Sequence, residues 1–378
     1  MGSAGPPHTI VFVDMKFDTA NCKMSTENDL EVDVILQKTS TLPPEAFQAL
    51  LQWCEVTSAL RSEKELPPVV VIDPPQIAQV VLRRSLLVSV LHSGMPASLC
   101  LTPRSWVCHC PAGVPELIEG GDKEGTEKRV EDGNGSEAWW IAKTDLSTGL
   151  PYTHRMVVWY GPFPRGGVPL AVRRLLPSEA STFVMQEFLV HAIPFVLKVY
   201  CVGGHMSIRA VPVASLAYVG CRELYSPHGE GLSREPIAVD SQKMFSHKGE
   251  WERQHPQLAN FWRSYLAEGS QFHSRCLHIA SQLSQVLQLS LFGFDLLLLP
   301  AEPDWKGWSK PNCPMTPEAV GKLLFDEENE GVPTAVLRNV FPVVVDVNYF
   351  PGYGGMPNVE QYMLELIESR VNGAGSSA

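Results

Sequence analysis

The chain predicts a mixed α/β (α+β) fold, and three observations carry that expectation. Short β-branched apolar runs alternate with helical periodicities over roughly the first 95 residues. The middle of the chain strings strands together with hairpin-type turns between them. Near the end, two long apolar strands each carry an isolated acid and are bracketed by helical segments. Alternating strands and helices read as α/β and consecutive strands as antiparallel sheet, so a chain holding both reads as α+β.

TIVFVDMKF and EVDVILQKT read as strands. PPEAFQALLQWCEVTSAL, residues 43–60, has helical spacing after a Pro-Pro start. VVVIDPPQIAQVVLRRSLLVSVL gives a short buried strand, a break at Pro74-Pro75 and one amphipathic helix, closing an N-terminal domain at 1–95. Residues 112–137 are Gly-rich and charged with little apolar periodicity, the composition of a mobile loop. AWWIAKTD, MVVWYG, TFVMQEFL and FVLKVYCVGGHMSIRAVPV are then successive strands, with Gly203-Gly204 as a hairpin turn, in a central subdomain at 96–203. A C-terminal subdomain at 204–371 holds a long helix, FWRSYLAEGSQFHSRCLHIASQLSQVLQL, and the strand SLFGFDLLLLP. A second loop at 301–332, the strand PVVVDVNYF and the helix PNVEQYMLELIESR complete it, and 372–378 reads as a disordered tail.

With 44% apolar and 19% charged residues among 378, the chain has the composition of a multidomain globular protein. A net charge of −11 argues against nucleic acid and anionic membrane as partners, so a polyanionic ligand would need a local basic pocket. No basic segment followed by a long apolar run opens the sequence, and LSLFGFDLLLLP is too short for a membrane span. Nine cysteines at irregular spacing point to reduced thiols in the cytoplasm or nucleus, and a monomer is expected. Cys108-His109-Cys110 lacks a second ligand pair at zinc-finger spacing and reads as ordinary thiols and a histidine.

The chemistry concentrates at strand ends. Asp346 and Asn348 lie two apart in PVVVDVNYF, hence on one face, just before the glycine-rich Gly352-Tyr353-Gly354-Gly355. Asp295 interrupts SLFGFDLLLL, where an unpartnered charge would be costly. Lys143 ends AWWIAK, Lys198 sits inside FVLKVY, and Gln186-Glu187 inside FVMQEFL. Oxygen donors of this kind suit Mg²⁺, and glycines let backbone approach a large anion. Solvated strand caps and snorkelling lysines are the plainer alternatives. GxxxxGK[ST], the HRD and DFG set, GxSxG and HExxH are all absent.

In the order of these elements the chain resembles the inositol trisphosphate 5/6-kinase / inositol tetrakisphosphate 1-kinase family, whose members have the ATP-grasp fold. The likeness runs from about Asp33 to the last helix. It implies three subdomains, with ATP bound between the central and C-terminal ones. Lys38, in DVILQKT, takes the place of a substrate lysine, and Arg84, in VIDPPQIAQVVLRRS, that of an arginine on the ATP phosphates. In IAKTDLSTGLPYTHRM, Lys143 corresponds to the ATP lysine, His154 to a substrate histidine and Gly149 to the substrate-loop glycine. Gln186, Glu187 and Phe188 take the adenine hinge, with His191 and Lys198 toward the substrate. Asp295, Asp346 and Asn348 would hold Mg²⁺, with Gly352, Gly355 and Asn348 beside the phosphorylated ring and Lys16 and Arg209 gripping it. The resemblance thus implies ATP and an inositol polyphosphate as ligands, with Lys143 and Asp295 closest to the chemistry.

The chain departs from the family at Thr148, where members carry histidine or aspartate, and at Val211, where a basic residue is usual. Arg209, on the same strand face as Val211, is placed to substitute. Another ATP-grasp enzyme, a carboxylate–amine ligase, and a binding protein that has lost turnover are the alternatives to a kinase.

Overall fold

The computed structural model describes residues 11, 14–38, 44–109, 138–147, 151–161, 167–189, 192–193, 195–212, 235–240, 250–254, 256–300 and 340–375. The expected loops at 112–137 and 301–332, together with Thr148, Gly149 and His191, lie outside the described residues. The fold is α+β and divides into two compact units, Met1–Gln76 with Asn358–Ala378, and Ile77–Pro357.

In the first unit, β1 (Lys16–Asp18) and β2 (Lys23–Ser25) form an antiparallel hairpin. β3 (Val34–Leu36) and α1 (Pro44–Ser62) lead to β4 (Val70–Ile72), which pairs with β3 in parallel. Pro44 opens α1, where a missing N–H costs nothing. Ala46, Ala49, Leu50 and Trp53 recur at helical spacing and form the core with Met24 and Ile35. Arg61, 2% exposed, closes the α1–β4 connection. It donates to the carbonyls of Pro67, Leu30 and Val32 and pairs with Asp33 at 2.7 Å. These bonds satisfy a buried guanidinium that would otherwise be costly.

The second unit begins with a correction. The amphipathic run after Pro75 is two helices, α2 (Pro75–Leu82) and α3 (Arg84–Gly94), broken at Arg83, whose φ of −116° and ψ of 111° are extended. Asp145 explains the break, because its carbonyl accepts from Arg84 N–H and its Oδ1 from Ser85 N–H. The carboxylate thereby caps α3 through a long-range contact invisible to local periodicity.

The five-stranded sheet follows: β5 (Ser105–His109), β6 (Ala138–Thr144), β7 (Arg155–Gly161), then α4 (Leu170–Arg173) and β8 (Thr182–Glu187). The other sheet starts with β9 (Phe195–Val202) and β10 (His205–Pro212), a hairpin turning at Gly203-Gly204 as expected, with Gly203 at φ +56°. β11 (Ile237–Asp240) returns to the first sheet, whose order is β11-β7-β6-β8-β5, antiparallel throughout. Alternation along β6 explains its two cores: Trp140 and Ala142 pack with Val157, Phe183 and Met185, while Trp139 and Ile141 pack on the other face with Met156 and Val158. β5 and β11 are strands that the sequence reading did not find.

α5 (Glu250–Gln254) falls in a stretch read only as polar, and α6 (Pro256–Tyr265) with α7 (Gln271–Leu287) replaces the single long helix expected from FWRSYL onward. Gly269 at φ +83° ends the first helical path, and the Ser270 side chain accepts from His273 N–H at 3.0 Å to start the next. Tyr265 stacks on Phe272 across the break, their centroids 4.8 Å apart. β12 (Leu291–Pro300) and β13 (Val340–Tyr349) complete the second sheet in the order β10-β9-β12-β13. The last element, α8 (Val359–Gly375), belongs by its contacts to the first unit and reaches into the expected tail, since 372–375 are helical. Among the described residues no helix is long and apolar enough to cross a membrane.

Gly293 in β12 shows how closely the end of β13 folds back. A Cβ there would lie 3.0 Å from Pro351 Cγ and 3.0 Å from the Val199 carbonyl oxygen. The carbonyl belongs to a neighbouring strand and cannot move alone. Gly293→Ala is therefore expected to cost about 1–3 kcal/mol and lower Tm by several degrees, read by thermal denaturation. An unchanged Tm would contradict the packing of Pro351 against β12.

Candidate active site

The second sheet carries a row of charges from edge to edge. Register puts Arg209 opposite Lys198, Lys198 opposite Asp295, and Asp295 opposite Asp346. On the same face, two residues along each strand, a second row runs Ser207, Tyr200, Gly293 and Asn348. The reverse face carries Val199, Phe294 and Val347, all at most 1% exposed. A period of two thus separates a hydrophobic side from a polar one, and the four strands place two cations and two acids side by side.

A β-bulge sharpens the arrangement. Register shifts between Asp295 and Leu296, from Asp295↔Asp346 to Leu296↔Val344, leaving Val345 without a partner position on β12. The Val345 carbonyl accepts from Lys143 Nζ at 3.4 Å, so a lysine of the first sheet reaches the second sheet beside Asp346. Lys143 Nζ also donates to Gln186 Oε1 at 2.8 Å. Burial pushes the Lys143 pKa down to about 8, with Asp346 acting against that fall and Arg84 with it.

Lys198 Nζ lies 3.1 and 3.3 Å from the two oxygens of Asp295, with their side chains 24% and 19% exposed. Burial works against the ammonium, but the charge and hydrogen bond of Asp295, with smaller contributions from Tyr200 and Asp346, together carry Lys198 above the ordinary lysine value. Burial also raises the Asp295 pKa against the pull of Lys198, and facing Asp346 adds to the rise. At the outer edge Arg209 Nη2 pairs with Glu252 of α5 at 3.2 Å.

Arg84 is 7% exposed and binds protein: its Nη1 donates to the carbonyls of Thr144 and Leu146, both at 2.8 Å. Burial lowers its pKa, opposed by Asp346 and Asp145, and its buried Nε–H has no hydrogen-bond partner among the described residues. His154, half-buried at the end of a 3-10 turn, has its pKa lowered by burial and by Arg84. Along the hinge, Glu187 N–H donates to the Arg104 carbonyl and Phe188 N–H to that of Trp139, both at 2.8 Å. The Glu187 carboxylate takes a two-pronged ion pair from Arg104 at 2.9 and 3.2 Å.

A pocket opens between α3 and the two sheets, lined among others by Arg84, Leu87, Ser105, Lys143, Gln186 and Asp346. Apolar side chains with a few convergent polar groups suit a small-molecule site. Gly352 leaves open space where a Cβ would stand, and Gly355, at φ +98°, would bring one 3.9 Å from Arg209 Nη1. Lys16, on β1, and Lys38, just past β3, are both exposed in the first unit. The structure therefore gathers Arg84, Lys143, Gln186, Lys198, Arg209, Asp295, Asp346 and Asn348 within one unit. Sequence reasoning missed Ser105, Arg104, Tyr200 and Glu252; the first two stand at the start of a strand too short to show its period.

Asp295, Asp346 and Asn348 form an all-oxygen set that fits a hard divalent cation such as Mg²⁺. Carboxylates directly opposite on adjoining strands repel each other, and a cation shared between them removes that cost. Lys198 now sits against one of the two. Among the described residues no group of three His, Cys, Asp or Glu side chains could hold a metal, so the amide would have to be the third protein donor.

No family model matches the chain. A curated relative is inositol-tetrakisphosphate 1-kinase 4 of Glycine max, 25% identical over 325 residues, which cover 84% of this chain and 73% of the relative. That relative bears the name of the family that the motifs resemble, so motif and whole-chain similarity coincide. Among solved structures, the chain is similar to the RimK domain protein ATP-grasp from Sphaerobacter thermophilus, at 11% identity and TM-score 0.33, covering 84% of this chain and 75% of that one. It is also similar to the ATP-grasp ligase PsnB in complex with a minimal precursor, at 10% identity and TM-score 0.34, covering 95% and 86%.

Proposed function

We propose that the protein is an ATP-grasp kinase that transfers the γ-phosphoryl group of ATP to a free hydroxyl of an inositol polyphosphate. The observation that carries this reading is the row Arg209–Lys198–Asp295–Asp346 across four strands, met from the other sheet by Lys143. Such a row has cations at one end and oxygen donors at the other, which suits two polyanions meeting over a metal. The motif resemblance and the Glycine max relative support the same substrate class.

In this reading Asp295, Asp346 and Asn348 would hold Mg²⁺, which would supply counter-charge to the phosphates. Lys143 holds the ATP phosphates at the sheet junction, and the hinge at Gln186–Phe188 borders the base. Arg84 fixes the backbone at 144–146 that carries the end of β6, and lines the nucleotide pocket. Lys198, Arg209 and His154 hold the acceptor. Gly352 and Gly355 admit the phosphorylated ring. Two unit charges 4 Å apart repel by about 4 kcal/mol near a protein surface, and several such pairs meet here, so these cations set the encounter. Phosphoryl transfer asks mainly for position and counter-charge, and no protein nucleophile is needed.

The test is to incubate the protein with Mg-ATP and a panel of inositol tris- to hexakisphosphates and separate products by charge. A product one phosphate richer than one of the acceptors is expected, with ADP formed in equal amount. ATP consumption only in the presence of a carboxylate and an amine would instead assign a ligase. Nucleotide and inositol phosphate binding with no product would assign a binding protein.

A further inference from the structure

Three hydrogen bonds donate in one direction across the first sheet, starting from Lys143 and ending on the Pro103 carbonyl. Ser105 on β5 stands directly opposite Gln186 on β8, which stands opposite Ile141 on β6, two residues from Lys143 on the same face. Ser105 Oγ–H donates to the Pro103 carbonyl at 2.9 Å. Gln186 Nε2–H donates to Ser105 Oγ at 3.3 Å, and Lys143 Nζ donates to Gln186 Oε1 at 2.8 Å.

A serine hydroxyl has one proton, and the Pro103 carbonyl can only accept. With that proton spent, Ser105 offers Gln186 a lone pair, which selects the amide nitrogen. The amide oxygen must then face the ammonium of Lys143. Turned the other way, the amide would set its N–H groups against three N–H donors of the lysine and leave a donor and an acceptor unmatched in a half-buried site. Orientation of the glutamine thus follows from a hydroxyl on the next strand.

We propose that Ser105 is a positioning residue that, through the orientation of the Gln186 amide, holds Lys143 where it meets the nucleotide phosphates. The proposal rests on the kinase reading for what Lys143 grips, and gives Gln186 a task distinct from bordering the base. The relay itself is a property of the chain without ligand and can be read without one.

The experiment compares full-length wild type, Ser105→Ala, Ser105→Thr, Gln186→Glu and Ser105→Ala/Gln186→Glu. Acylation of Lys143 by an amine-reactive ester is followed by peptide mass spectrometry without nucleotide, and ATP affinity is measured by calorimetry. Ser105→Ala frees the amide to turn, so Lys143 should be labelled about fivefold faster and the Kd for ATP should rise about tenfold, with the acceptor KM unchanged. Ser105→Thr keeps the hydroxyl and should restore both. A carboxylate at 186 presents oxygen whichever way it faces, so in the Gln186→Glu background Ser105→Ala should change neither. The proposal is overturned by wild-type labelling in Ser105→Ala, by failure of threonine to restore it, or by undiminished sensitivity in the Gln186→Glu background. A wild-type protein that binds no ATP overturns the kinase reading instead, while the labelling still decides the relay.

Discussion

Asp346→Ala is expected to reduce Mg²⁺-dependent ATP turnover by about a thousandfold or more while the protein stays folded with a Tm close to that of wild type. A loss of that size, about 4 kcal/mol in the barrier, is what removing a donor aimed at developing charge produces. Retained stability follows from register. Asp346 faces Asp295 directly across β12 and β13, so its removal relieves like-charge repulsion, which offsets the counter-charge lost by Lys143 and Arg84, and it opens no core cavity because Val347 on the reverse face carries the packing. The Asp346 Oδ1 accepts from the N–H of Val347 at 3.0 Å, a local bond whose loss costs little at a half-buried position. Turnover near the wild-type rate in a folded variant would remove the metal set from the mechanism. Loss of both turnover and fold would make Asp346 a structural residue.

The α+β class was legible because period reports on one element at a time, and the strong elements here are locally consistent. α1 shows its 46, 49, 50, 53 stripe in sequence, and β6 its apolar run AWWIA. What failed were breaks made from outside the segment. Arg83 leaves the helix because Asp145, some sixty residues away, caps α3. β11 has four residues and β5 five, too few for periodicity to separate strand from loop.

The same limit runs through the site. That Asp346 and Asn348 share a face could be read from their spacing. That Asp295 faces Asp346, that a bulge turns the Val345 carbonyl to Lys143, and that Arg209 already holds Glu252 are facts of register and packing. That the Arg84 guanidinium clamps the chain after β6, beside the phosphate contact the resemblance implies, is a role that a single arginine in a helix does not announce.

The second large effect concerns Lys198, which in the absence of a metal is the positive charge placed against the facing acids. Its ammonium is 3.1 Å from one Asp295 oxygen, and Asp295 faces Asp346. In Lys198→Met the two carboxylates keep their register but lose this counter-charge, so the metal-free variant should melt below wild type. A divalent cation should then bind the variant more tightly, because it no longer competes with the lysine for Asp295. At a free Mg²⁺ concentration a hundredfold above its Kd, binding adds about 2.7 kcal/mol, or roughly 5 °C in a unit of this size. The expected result is therefore a Mg²⁺-induced rise in Tm clearly larger in Lys198→Met than in wild type, with about tenfold tighter Mg²⁺ binding by calorimetry. Adding Asp346→Ala should abolish the difference, since the cation then has one carboxylate instead of two. Equal Mg²⁺ shifts in wild type and Lys198→Met would separate the lysine from the cation site. That outcome would leave Lys198 a role with the acceptor alone, where its removal raises acceptor KM and spares both Mg²⁺ and ATP binding.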